Sequence, residues 1–171
     1  MKKILTLFIT LILTLTFPCT NNFVIADNIE DTIMVELSEL TIYREDIITR
    51  LISGAREHTG KPYRAGGKGP NAFDCSGFTS YVFSEYAGID LQRSAAEQSR
   101  NGRNVKRDSI KAGDLVFFAS GKHVSHVGII TDVFEDGNAK FIHSSSSRGI
   151  MESELNDYYW NRKKFSFRRM V

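Results

Sequence analysis

Residues 114–119 (DLVFFA), 124–134 (VSHVGIITDVF) and 139–144 (AKFIHS) decide the fold class. Each run is short and rich in Val, Ile and Phe. Gly121 follows the first, and Asp136-Gly137-Asn138 follows the second. Such runs, punctuated by turn residues, read as consecutive antiparallel strands. A fourth run, 165–171 (FSFRRMV), adds a last strand. Toward the N-terminus the period changes. Ile47, Ile48, Leu51, Ile52 and Ala55 recur three and four residues apart, one helix face beginning at Arg44, and Gly60 and Pro62 close that helix. Residues 64–72 form a loop around Gly66, Gly67, Gly69 and Pro70. A second helix is expected from Cys75 to about Tyr86, apolar through Phe78, Tyr81, Val82 and Phe83, with Asp74 as its cap and Gly88 as its stop. A shorter one falls over Ala95, Ala96 and Gln98. Helices first and an antiparallel sheet second make an α+β domain.

The N-terminus reads as a targeting segment. Lys2 and Lys3 precede an uncharged apolar and Thr run from Ile4 to Phe17, and Val24-Ile25-Ala26 offers the small residues of a cleavage site. Cleavage after Ala26 leaves 145 of the 171 residues, enough for one domain with a real core and too few for two. Residues 27–43 then form a leading arm, extended or loosely helical, ahead of a domain spanning 44–171. Lys2 and Lys3 account for the formal +2, so the processed chain balances 20 basic against 20 acidic residues. Nucleic-acid binding driven by net charge loses its support. Cys19 leaves with the leader, and Cys75 remains as a lone thiol that cannot form an internal disulfide. Lipidation of Cys19 is disfavoured because Pro18, not a small residue, precedes it.

Cys75 is the first candidate for chemistry. At a helix start its sulfur faces unpaired N–H groups and the positive end of the dipole, an environment expected to favour thiolate. A buried structural cysteine is the competing reading. His126 and His143 lie in adjacent expected strands, so antiparallel pairing can bring their rings to hydrogen-bonding distance. A thiolate needs such an imidazole and a third group to orient it. Gly128, on the same strand face as His126, is expected to leave open space for a cleft. A zinc site from Cys75, His123, His126 and His143 is disfavoured, since residues three apart on a strand diverge. The glycine-rich loop lacks the Lys-Ser/Thr end of a phosphate loop. His58 is expected to be solvated or a favourable helix-end charge. Arg162, Lys163, Lys164, Arg168 and Arg169 are expected on the outer face of an edge strand.

Six segments taken in order resemble the NlpC family of bacterial papain-like cysteine peptidases. They are Gly60-Lys61-Pro62-Tyr63 with Gly66-Gly67, Phe73-Asp74-Cys75-Ser76-Gly77-Phe78, Arg93-Ser94-Ala95, Gly113-Asp114-Leu115-Val116-Phe117-Phe118, Ser125-His126-Val127-Gly128-Ile129 and Ile142-His143. Thr79 and Gln92 depart from residues common in that family. The resemblance implies a papain-like fold and cleavage of peptidoglycan stem peptides, usually between D-Glu and the diamino acid. It implies Cys75 as nucleophile, His126 as base and His143 as its orienter. Tyr63, Asp74, Ser76 and Ser94 would contact substrate. It implies no cofactor and no metal. The expected partner is peptidoglycan or a released muropeptide, handled by an exported monomer in periplasm, wall or medium, without membrane insertion after leader removal. Acyl transfer or amidase action on the same scaffold, and a non-catalytic wall-binding protein, are the competing functions.

Overall fold

Helix α1 (Asn22–Glu57) opens the part of the chain that the computed structural model describes, residues 22–171, with side chains from Asp31 onward. The apolar run of the expected leader, and Cys19, lie outside the described residues. No Gly or Pro falls between residues 22 and 53, so nothing interrupts the helix. The stretch expected as a loose arm is therefore helical and continuous with the helix expected from Arg44. Among the described residues no helix is long and apolar enough to cross a membrane. The chain divides between Arg44 and Glu45 into two units, and the second, Glu45–Val171, holds the sheet. Within it Leu51 and Ala55, both fully buried, anchor the last turns of α1.

Helix α2 (Cys75–Ala87) starts at its cap, Asp74, and ends at Gly88 in the left-handed region (φ 66°). Helix α3 (Ala95–Gln98) is a single turn closed by a capping box between Ser94 and Glu97. Gln98 is buried and ties the two helices together. Its Nε2 donates to the Ser76 carbonyl (3.1 Å), and its Oε1 accepts from Thr79 Oγ1 (2.8 Å). The family-atypical Thr79 thus has a structural partner.

Six antiparallel strands follow: β1 (Arg103–Val105), β2 (Leu115–Ser120), β3 (His123–Val133), β4 (Ala139–Ser145), β5 (Gly149–Glu154) and β6 (Lys164–Arg169). Their order across the sheet is β1-β6-β2-β3-β4-β5. Four of them sit where the sequence predicts strands, and β1 and β5 are additional. The last strand is not an edge: β1 pairs along its outer side, with Val105 opposite Phe167. Its arginines are correspondingly engaged. Arg169 grips the buried Asp114 through Nε (2.7 Å) and Nη2 (2.7 Å), and Arg168 Nε donates to the Ser99 carbonyl (2.7 Å).

Both faces of the sheet are covered, which explains why β2 is apolar without alternation. Leu115 and Phe117 pack with Phe78, Val82, Phe83, Val127, Ile129 and Ile142 on the helical side. Val116 and Phe118 pack with Ile130, Phe141, Trp160 and Phe167 on the other. At about 1.5–3 kcal/mol for each fully buried large apolar side chain, these two layers dominate the stabilisation of the domain.

Candidate active site

Cys75 is the first residue of α2, and its position is set by the loop before it. Asp74 accepts from the Gly77 N–H (2.6 Å) and the Gly66 N–H (3.0 Å), while its own N–H donates to the Gly67 carbonyl (3.0 Å). A Cβ on Gly77 would lie 2.0 Å from that Gly67 oxygen. The glycines therefore let the loop rest directly on the first turn of the helix.

The opposite wall comes from the sheet. His126 stands opposite Phe118, beside a bulge in the β2–β3 register. Its Nε2 lies 2.9 Å from Nδ1 of His143, with the rings nearly perpendicular at 82°. Gly128 serves a purpose other than the expected open space. A Cβ there would come 2.7 Å from Phe141 Cδ2 and 3.2 Å from His143 Cβ. The glycine admits close approach of β4, and so helps bring His143 to His126. Trp160, the chain's single tryptophan, stacks on His126 (5.3 Å, 25°) and meets His143 edge-on (5.1 Å). On its far side His143 Nε2 lies 3.1 Å from Ser153 Oγ. Trp160 and Ser153 escaped sequence reading. A lone tryptophan was a weak signal for the first, and a serine in an unrecognised strand gave none.

Cys75, His126, His143 and Tyr63 line one cleft of about 680 Å³, together with Trp160 and Lys163. Burial pushes His126 down to about 4, with Lys163 adding to the shift. Burial, then the neighbouring His126 and Arg148, push His143 down to about 3. Both imidazoles are thus neutral at neutral pH, as a proton acceptor must be. Burial raises the Cys75 thiol and Asp74 adds to the rise, opposed by backbone hydrogen bonds at Ser76, Val127 and Cys75. The helix start does not outweigh desolvation here, so the thiolate-favouring environment expected from sequence gives way to a resting thiol. Burial also raises Tyr63, keeping its phenol protonated and able to donate.

Asp74, Ser76 and Ser94 are not among the residues lining that cleft. Asp74 is held by Arg93 through both carboxylate oxygens, and lies lowered by that bond despite its burial. Ser76 Oγ accepts from Arg93 Nη1 (3.1 Å), and Ser94 caps α3. Nor does the structure leave His58 solvated. It is 4% exposed, packed edge-on to Phe73 and Tyr81, and lowered by burial and by Lys61. Among the described residues no three His, Cys, Asp or Glu side chains converge as a metal site.

Comparison with known proteins bears on this arrangement. Residues 60–169 match the NlpC/P60 family. The chain is 36% identical over 126 residues to the murein DD-endopeptidase MepS/murein LD-carboxypeptidase of Escherichia coli (strain K12), covering 74% of this chain and 64% of that protein. It is 40% identical over 121 residues to a probable endopeptidase NlpC homolog of Haemophilus influenzae, covering 71% and 62%. The chain therefore spans a little under two thirds of these relatives. A crystal structure of an NlpC/P60 family protein from Bacillus cereus aligns with TM-score 0.63 and 34% identity over 71% of this chain and 39% of that one. The NlpC/p60 domain of the peptidoglycan hydrolase SagA aligns with TM-score 0.59 and 29% identity, over 70% of this chain and 96% of that one.

Proposed function

The chain belongs to the NlpC/P60 family, and on that premise we propose that it is an exported cysteine peptidase hydrolysing peptide bonds in peptidoglycan stem peptides. The observation that carries the reading is the 2.9 Å contact of the buried His143 with the half-buried His126, both neutral, in the cleft that also contains the helix-start cysteine. His126 Nε2 is engaged by His143, which leaves Nδ1 as the ring nitrogen for proton exchange with the thiol.

In the proposed mechanism, His126 Nδ1 takes the Cys75 proton as the sulfur attacks the scissile carbonyl carbon. His143 accepts from the imidazolium at Nε2 and holds the ring. Tyr63, protonated and at the cleft, donates to the developing oxyanion. Collapse expels the amine, which receives the proton from His126, and leaves a thioester on Cys75. Water, deprotonated by His126, attacks the thioester carbonyl. The acid departs, and the proton returns to the sulfur. Because the resting thiol is raised by burial, its proton moves in concert with attack and not ahead of it.

The bond between D-Glu and the diamino acid is the first reading of the scissile site. A second has a specific observation behind it: the Escherichia coli relative is named for DD-endopeptidase and LD-carboxypeptidase action. Mass spectrometry of products from a defined cross-linked muropeptide separates them. Cleavage at D-Glu releases a fragment beginning with the diamino acid. DD cleavage splits the cross-link into intact stems. Transfer of the acyl group to an added amine would mark acyltransferase action. No product at all would refute the peptidase reading.

A further inference from the structure

We propose that Ser153 is a positioning residue that selects the working tautomer of the histidine pair, an inference that rests on the peptidase reading of the cleft. The pairing of β4 with β5 puts Phe141 opposite Ser153 and His143 opposite Met151. Phe141 and His143 share a strand face, so Ser153 is the diagonal neighbour of His143 on that face. The geometry realises the contact: Ser153 Oγ is 3.1 Å from His143 Nε2, while His143 Nδ1 is 2.9 Å from His126 Nε2. Four atoms thus form one chain, from hydroxyl through one imidazole to the other.

Two proton arrangements satisfy that chain, and only one of them works. If His143 carries its proton on Nε2, that N–H donates to Ser153, and Nδ1 accepts from the Nε2–H of His126. His126 Nδ1 then keeps its lone pair, ready for the thiol proton. In the reverse arrangement Ser153 donates to His143 Nε2, and His143 Nδ1–H donates to His126 Nε2. The remaining proton of a neutral His126 then sits on Nδ1, where the base must be. Ser153 is half-buried and itself lines the cleft, so its hydroxyl hydrogen can turn toward the cleft while a lone pair faces His143. When His126 becomes imidazolium, its Nε2–H must be accepted by His143, and only the first arrangement allows this. Ser153 therefore acts most strongly in the charged state, which is where a rate effect originates.

The test reads tautomer and rate separately. Two-bond ¹H–¹⁵N correlation spectra of histidine-labelled protein at pH 7 should show His143 protonated on Nε2. Ser153→Ala should shift it toward Nδ1–H, with kcat on muropeptide falling on the order of tenfold and KM within about twofold, the loss of one oriented hydrogen bond. Ser153→Thr, which restores the hydroxyl, should recover both readouts. His143 protonated on Nδ1 in the unmodified protein, or a tautomer and kcat unmoved by Ser153→Ala, overturns the proposal. The spectra answer it even if the peptidase reading fails, because that failure is seen as no cleavage by the unmodified protein.

Discussion

Acidification from pH 6.5 to 5 should destabilise the fold through the His126–His143 pair. In the folded protein His126 is held at about 4 and His143 at about 3. An exposed imidazole in the unfolded chain titrates near 6.5. Across this window the unfolded chain takes up protons that the folded one refuses. Stability is therefore highest above 6.5 and is lost as pH falls. Integrating that uptake gives about 1.6 kcal/mol for each histidine and about 3 kcal/mol for the pair. His58, also lowered, adds loss of the same sign. The lowered carboxylates, Asp74 and Glu97, titrate below the window in the unfolded chain and so stay out of it. For a domain of this size the loss corresponds to a melting-temperature drop on the order of 10 °C. Urea titrations at pH 6.5 and 5 measure it directly, and His143→Asn should remove roughly half of the pair's contribution. Equal midpoints at the two pH values would show that these rings are not held neutral in the folded protein. So would a variant that retains the full difference.

The remaining expectations concern packing and orientation. Gly128→Ala puts a methyl 2.7 Å from Phe141 and 3.2 Å from His143 Cβ. It should cost about 1–3 kcal/mol in denaturant titration and lower kcat by displacing β4. Asp114→Ala strands Arg169 beside a buried void. With Asp114 1% exposed, the loss should be about 3–5 kcal/mol, read from the shift in urea midpoint. His143→Asn and His143→Gln keep an acceptor for His126 and should retain more kcat than His143→Ala, with KM little changed; equal loss in all three would mean that His143 transfers protons itself.

What the sequence discloses about the fold follows physical contrast along the chain. α2 was readable almost to the residue because Asp74 and Gly88 are strong end signals flanking an apolar face. β2, β3 and β4 were readable because central strands concentrate Val, Ile and Phe. β1 and β5 were not, because edge strands need few apolar residues: GIMESE carries two glutamates and RNV has three residues. Missing β1 is what made β6 look like an edge. The early start of α1 was hidden for a different reason. Its exposed Ile33, Leu37, Leu40 and Ile42 give no clear buried stripe, so periodicity had little to report.

For the candidate site, the cysteine and the histidine pair were legible from type and strand adjacency. Local spacing could not give their protonation, because desolvation depends on Trp160, Phe118 and Phe141 packed around them. At Cys75 the helix-start dipole favours a thiolate, but desolvation by the surrounding fold outweighs it. Gly128 is a similar case, since the space beside a strand glycine is decided by the next strand, here Phe141 and His143 of β4. Asp74 shows the converse. Its capping role was written in the sequence, whereas its clasp by Arg93, 19 residues away, was not.

In the proposed mechanism every turnover begins with attack of the Cys75 sulfur on the substrate. The most direct measurement follows the rate of muropeptide hydrolysis as iodoacetamide alkylates the folded protein, with the alkylated fraction of Cys75 taken from peptide mass mapping. Activity should fall in proportion to that fraction and reach zero when Cys75 is fully alkylated, and Cys75→Ala should be folded and inactive from the start. Protein fully alkylated at Cys75 that still hydrolyses muropeptide at near its original rate would contradict that mechanism.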